Sequence, residues 1–263
     1  MTSVVFGVLI SCLLIHLGSA YFLDPNCPID PDHNSVSPFP WMALVMLPDK
    51  NCSGTLIYKN FVITSANCVF NQSQIKVLLG EFNRKLKKNT FEFPIKEILV
   101  RSVYTPSHYN ENNYKNDIAL LQLTENVLYE AHIRPICIWL IGFYIDTGKQ
   151  NFTTPLWYLT KKWTFPFPKR TLFSKLELDL CEHSLGINPD KSQICAGHEV
   201  KLCVEAGSPL VQKITFNNRS RHALVGIQSY GVSNTCLYTN IESYLEWIVG
   251  IVLKVEIIVN NIF

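Results

Sequence analysis

Eight of the nine cysteines fall between Cys27 and Cys236, scattered among short apolar runs, and that combination constrains the fold most tightly. The runs Met42 to Leu47, Thr55 to Tyr58, Phe61 to Thr64 and Ile75 to Leu79 are separated by Asn, Asp, Gly and Pro. Short strands parted by turn residues predict an all-β sandwich or barrel. A second set follows at Leu210 to Ile214, Ala223 to Ser229 and Leu237 to Asn240. Residues Asn116 to Leu123 predict a buried strand with Asp117 at its mouth. From Glu242 to about Leu253 the chain sets Tyr244, Leu245, Ile248 and Val252 at helical spacing, which predicts one amphipathic closing helix. A chain of 263 residues, 48% hydrophobic and 17% charged, can bury a large core as a single all-β unit.

The compartment decides what the cysteines do. Residues 1–20 have an apolar centre from Val4 to Leu17 and end on Leu17-Gly18-Ser19-Ala20, and they read as a cleaved secretory signal peptide. Its removal takes Cys12 with it and leaves eight cysteines in an oxidising compartment, where disulfides are the expected use. No C-x-x-C pair or His/Cys cluster has zinc spacing, so neither a metal nor another cofactor is expected. Sequons at Asn51, Asn71, Asn151 and Asn218 are glycosylation candidates, which modification would place on the surface. A formal net charge of +2 is too small to argue for nucleic acid or an acidic membrane, and the run Arg84, Lys85, Lys87, Lys88 reads as a solvated loop. Pro25, Pro28, Pro31, Pro38 and Pro40 deny a helix, so residues 21–35 read as an extended tether ahead of a domain over 36–250. The apolar tail, 251–263, is interrupted by Lys254 and Glu256 and is too short to span a bilayer.

Several motifs then resemble, in order and rough spacing, those of the trypsin-like serine proteases. Pro40-Trp41-Met42-Ala43-Leu44 is similar to that family's first barrel strand. Cys52-Ser53-Gly54-Thr55-Leu56-Ile57 resembles its Cys-Gly-Gly-[Ser/Thr]-Leu-Ile strand, and Phe61 through Cys68 resembles its histidine motif. Asn116 to Leu123 is similar to the aspartate strand, Pro135-Ile136-Cys137 to the linker cysteine, and Val225 to Gly231 with Tyr238 to Ile248 to the last strands and helix. The resemblance implies two six-stranded antiparallel β-barrels, about 36–138 and 150–240, followed by a C-terminal helix. It also implies the cysteine pairs Cys52–Cys68, Cys181–Cys195 and Cys203–Cys236, which leaves Cys27 with Cys137.

The chemistry departs from the family at nearly every position that carries it. Cys203 to Val211 reads Cys-Val-Glu-Ala-Gly-Ser-Pro-Leu-Val where the family has Cys-x-Gly-Asp-Ser-Gly-Gly-Pro-Leu, one residue longer. Counting back from Pro209 puts the nucleophile on Ala206, and counting forward from Cys203 puts it on Gly207. Ser208 is the nearest hydroxyl and stands where the family has its second glycine. The histidine position is Asn67, whose amide has no useful basicity near neutral pH, and of the triad only Asp117 is kept. In subtilisin the loss of the whole triad costs about 2 × 10⁶-fold in turnover. Lys201 occupies the floor of the specificity pocket, where trypsin-like members keep an aspartate. Glu205 precedes the nucleophile position, but Cys27 to Pro40 offers no activation cleavage that would free a terminus to pair with it. Leu156-Trp157-Tyr158 stands in place of the family's Gly-Trp-Gly turn.

These residues predict a secreted, catalytically inactive serine protease homologue, similar to the non-catalytic homologues of insects. Its partner would be an extracellular protein, an active serine protease or the substrate of one, for which it acts as cofactor, decoy or scaffold. The competing expectation is a serine-type endopeptidase with unusual chemistry, built on Ser208 and one of the histidines of the mature chain.

Overall fold

Side chains along the apolar runs alternate between inside and outside, and that period of two makes them strands. In β5 (Lys96–Tyr104), Ile98 is buried while Glu97 and Leu99 face solvent. The computed structural model describes residues 21–29, 37–80, 94–140, 151–157, 168–199, 203 and 205–255. The expected signal peptide, the basic run after Gly80, the end of the tether, Lys201, Tyr158 and the last eight residues lie outside them.

Twelve strands form two closed barrels, antiparallel throughout, with strand orders β1-β2-β3-β6-β5-β4 and β10-β11-β12-β9-β8-β7. The first barrel holds β1 (Met42–Met46), β2 (Asn51–Tyr58), β3 (Phe61–Thr64), β4 (Lys76–Leu79), β5 and β6 (Ala119–Leu123). The second holds β7 (Asn151–Trp157), β8 (Pro168–Lys175), β9 (Gln193–Gly197), β10 (Pro209–Phe216), β11 (Arg219–Val232) and β12 (Thr235–Asn240). Among the described residues, closure gives every strand a partner on both sides. A one-turn helix α1 (Ala66–Val69) follows β3, and α2 (Leu178–Leu185) stops at Gly186, whose left-handed φ of 67° closes the last turn onto Glu182.

Each barrel has its own apolar filling, and a third cluster joins them. Trp41, Met42, Ile63 and Leu120 of the first barrel pack in one cluster with Trp157, Val211, Leu224 and Ile227 of the second. The expected single closing helix is two pieces: a 3-10 turn over Ile241–Tyr244 runs into α3 (Leu245–Leu253). Asn240 caps the turn by accepting the Glu242 N–H, which starts the coil tighter than an α-helix. Tyr244, Ile248 and Val252 still face inward and extend the joining cluster. Leu156 and Trp157 also differ from expectation, being paired residues of β7 rather than a turn.

The N-terminal tether does not stand away from the domain over its described part. Leu23 N–H donates to the Ile138 carbonyl at 3.0 Å and Leu140 N–H to the Tyr21 carbonyl at 2.9 Å. Phe22 sits edge-on against Trp139 and Phe216, at 5.1 and 5.8 Å between ring centroids. Pro25 and Pro28 exclude a helix, as the sequence requires, but burial of Phe22, Leu23 and Cys27 folds the segment onto the second barrel.

Four disulfides cross-link the structure: Cys27–Cys137, Cys52–Cys68, Cys181–Cys195 and Cys203–Cys236. Their sequence separations, 110 residues for Cys27–Cys137 against 14 for Cys181–Cys195, rank what each removes from the unfolded chain's freedom. On the chain-entropy relation the first stabilises by about 5 kcal/mol and the second by about 3 kcal/mol. Paired Cys→Ala variants compared by denaturant unfolding should keep that order, and equal losses would remove the entropic account.

Candidate functional site

The two barrels meet over a buried carboxylate. Asn116 adopts the left-handed conformation, φ 57°, which asparagine tolerates better than most residues. Its amide donates to the His108 carbonyl and its oxygen accepts from the Tyr244 hydroxyl, fixing the backbone so that Asp117 points inward with no exposed surface. Asp117 accepts from the Asn67 backbone N–H at 2.8 Å, the Asn67 Nδ2 at 2.9 Å and the Ser229 hydroxyl at 2.5 Å. Ser229 reaches it because β11 bulges between Gln228 and Tyr230, where an extra residue turns out of the ladder. The second hydrogen of Asn67 Nδ2 goes to the Ser229 carbonyl at 2.8 Å. Burial pushes the Asp117 pKa up, and the hydrogen bonds from Ser229 and Asn67 pull against it.

The turn before β10 lies alongside. Gly207 has φ 81°, and a Cβ there would stand 2.1 Å from the Ser53 carbonyl oxygen and 2.3 Å from Thr64 Oγ1, so only glycine fits. Its N–H donates to the Gln228 carbonyl at 2.8 Å, and that of Ser208 to the Glu205 carbonyl at 3.2 Å. Ser208 is fully buried, with its hydroxyl donated to Gln228 Oε1 at 2.9 Å. Ala206 is half-buried against the first barrel's core, and its carbonyl accepts the Ser53 N–H. The structure thus gathers Asn67 and Asp117 at one end of β11 and buries Ser208 with its hydroxyl committed to Gln228.

Residues 31–248 match the pattern of the trypsin family. The chain belongs to the trypsin family. Its relatives include CLIP domain-containing serine protease B9 of Anopheles gambiae, 26% identical over 81% of this chain and 60% of that protein. Two others are vitamin K-dependent protein C of Rattus norvegicus, 30% identical over 80% of the chain and 48% of that protein, and inactive CLIP domain-containing serine protease A8 of Anopheles gambiae, 30% identical over 80% and 63%. This trypsin-family chain spans about half to two thirds of the length of the curated relatives it matches.

A cleft of about 400 Å³ opens beside Asn67 and Ser229 and is lined by Phe70, Tyr109, Glu111, Tyr114 and Tyr230. Among the described residues no histidine lines it. Composition gave no signal for this aromatic lining, because Tyr109 and Tyr114 lie in a loop and meet Tyr230, at a bulge more than a hundred residues on, only in the fold. Of the sequons, Asn71, Asn151 and Asn218 are exposed, whereas Asn51 is half-buried at the start of β2 and the Ser53 of its sequon is buried.

Glu205 is another buried carboxylate of this trypsin-family chain, and the chain supplies its donors internally. The Trp157 backbone N–H donates to Glu205 Oε2 at 2.8 Å and the Ser53 hydroxyl at 3.3 Å. The sequence carried half of this pair: Ser53 stands where the family's strand has a glycine, so an extra hydroxyl faces Glu205. Burial pushes the Glu205 pKa up to about 7 from 4.5, and the bonds from Trp157 and Ser53 offset it only in part.

A raised acid binds its proton more tightly in the folded protein than in the unfolded one. Its contribution is complete below pH 4.5 and is lost as pH rises through 7. Glu205→Gln removes that titration while keeping an acceptor for Trp157. Measured by denaturant unfolding, the variant should gain on the wild type by on the order of 3 kcal/mol between pH 4.5 and pH 8. A constant difference across that range would show that Glu205 titrates normally.

Proposed function

We propose that this trypsin-family chain is a secreted, catalytically inactive serine protease homologue that works by binding protein. The observation that carries the reading is Asn67: both hydrogens of its amide are committed, to Asp117 and to the Ser229 carbonyl. Peptide hydrolysis on this fold needs a proton acceptor between the aspartate and a nucleophilic hydroxyl. Asn67 accepts no proton near neutral pH, Ala206 carries a methyl group, and the Ser208 hydroxyl is buried against Gln228.

Relatives whose names mark them inactive, A28 and A8 of Anopheles gambiae, support the same reading. The partner is an extracellular protein, an active serine protease or its substrate, and the chain serves it as cofactor, decoy or scaffold in a proteolytic cascade. Secretion rests on the apolar leader over residues 1–20 and on eight cysteines that form four disulfides. Among the described residues no helix is long and apolar enough to cross a membrane.

Labelling with a serine-directed fluorophosphonate tests inactivity on the secreted protein, with an active trypsin-family protease as the positive control. Intact mass should show no adduct. Stoichiometric attachment to Ser208 would falsify the binding reading and favour an endopeptidase with unusual chemistry.

A further inference from the structure

We propose that Asn151 carries an N-linked oligosaccharide whose first sugar packs on Leu172 across the outer face of the second barrel. The inference rests on the secreted reading, because the donor of that sugar belongs to the secretory pathway. It draws on the register of β7 with β8. Along β8, Thr171 and Phe173 are buried while Arg170, Leu172 and Ser174 are exposed. Along β7, Phe152 and Thr154 turn inward and Asn151 turns out. Asn151 pairs with Ser174 and Thr153 with Leu172. Residues opposite one another in an antiparallel pair share a face, so these four side chains form one outward patch. Leu172 is its apolar member, 63% exposed in the middle of a paired strand. It lies diagonally across from Asn151, a separation of about 7 to 8 Å between such residues, which one sugar ring spans.

The four sequons differ in what surrounds them. Asn51 is half-buried, Cys52 of its sequon is bonded to Cys68, and the Ser53 hydroxyl is committed to Glu205 at 3.3 Å. Asn71 and Asn218 stand on turns in the left-handed region, φ 57° and 58°, where a sugar projects away from the chain. Asn151 is the one set on a sheet surface, beside a neighbouring strand on which a sugar can lie. It also has threonine at the third position, Asn151-Phe152-Thr153, where the other three have serine, and threonine is the better acceptor context.

The co-reactant is a lipid-linked oligosaccharide that begins with N-acetylglucosamine. Asn151 Nδ2 bonds to the anomeric carbon of that sugar, and the bond from this carbon to the lipid diphosphate breaks. The amide gives up one hydrogen as a proton, and the lipid diphosphate leaves. A lone surface leucine is ordinary and calls for no partner. Placed diagonally from a glycosylated asparagine it gains one, since the N-acetyl methyl and the C–H face of the ring are apolar while the hydroxyls remain in water. The patch then presents sugar rather than leucine to solvent, and any protein partner must bind elsewhere on the chain.

The test uses the secreted full chain. Release of N-glycans by an amidase in ¹⁸O-labelled water, followed by peptide mapping, should mark position 151 in most molecules. An unmarked Asn151 in a chain that has lost residues 1–20 overturns the proposal and leaves secretion standing. A chain that keeps its leader and carries no sugar overturns both. In protein trimmed to the first N-acetylglucosamine, nuclear Overhauser effects should link its N-acetyl methyl to the Leu172 methyls, and their absence overturns the packing. Removing that last sugar should raise the unfolding equilibrium constant about threefold to tenfold. In Leu172→Ser, a change at an exposed position, the same removal should raise it less than about twofold. The amidase leaves aspartate at position 151 in both proteins, so the new charge cancels in the comparison. Equal effects in the two would show that the sugar acts without Leu172 and would sink the contact. Catalytic inactivity is decided separately, by the fluorophosphonate labelling.

Discussion

A carboxylate with no exposed surface, set where two β-barrels meet, must be fully partnered or it opens the seam. Burying an unpaired charge costs several kcal/mol, and Asp117 offsets part of that cost through Asn67 of the first barrel and Ser229 of the second. Thr239 of β12 adds a bond to the Asp117 carbonyl at 2.7 Å, and Tyr244, ahead of α3, holds neighbouring Asn116. Asp117 and its neighbour Asn116 therefore tie both barrels to the turn that leads into the C-terminal helix. An amide at position 67 serves that structural task well, since it donates to the carboxylate and to the Ser229 carbonyl at once.

Much of the architecture was legible because it depends on local pattern and on covalent links. Strand positions followed from runs such as Phe61 to Thr64, and the family resemblance led to the four cysteine pairs. Boundaries were less legible: β11 runs from Arg219 through Val232 because pairing with β10 and β12 extends it past its apolar centre. The sequence suggested an extended tether linked through Cys27 and Cys137; the burial of Phe22 and Leu23 against residues more than a hundred positions away was not legible, because prolines speak only to backbone conformation.

Within the candidate site, the sequence exposed what is missing more readily than what has replaced it. Asn67 and Ala206 stand out against a pattern that demands other residues. The bonds that occupy their surroundings do not, since Trp157, Ser53 and Gln228 come together only through barrel closure. Lys201 lies outside the described residues, so the floor expected there gains no structural account.

The clamp on Gly207 bears on history as well as geometry. A side chain at that position would run into the Ser53 carbonyl and Thr64, and the shortened turn leaves its neighbour Ser208 facing inward. A chain that had lost only a serine could regain it by one substitution. Here the loop is a residue shorter than the family's and position 67 is an amide, so a serine restored at Ala206 would still meet no imidazole. Under the proposed reading a return to hydrolysis takes several coordinated changes, at Asn67, at Ala206 and in the length of the loop between Cys203 and Pro209.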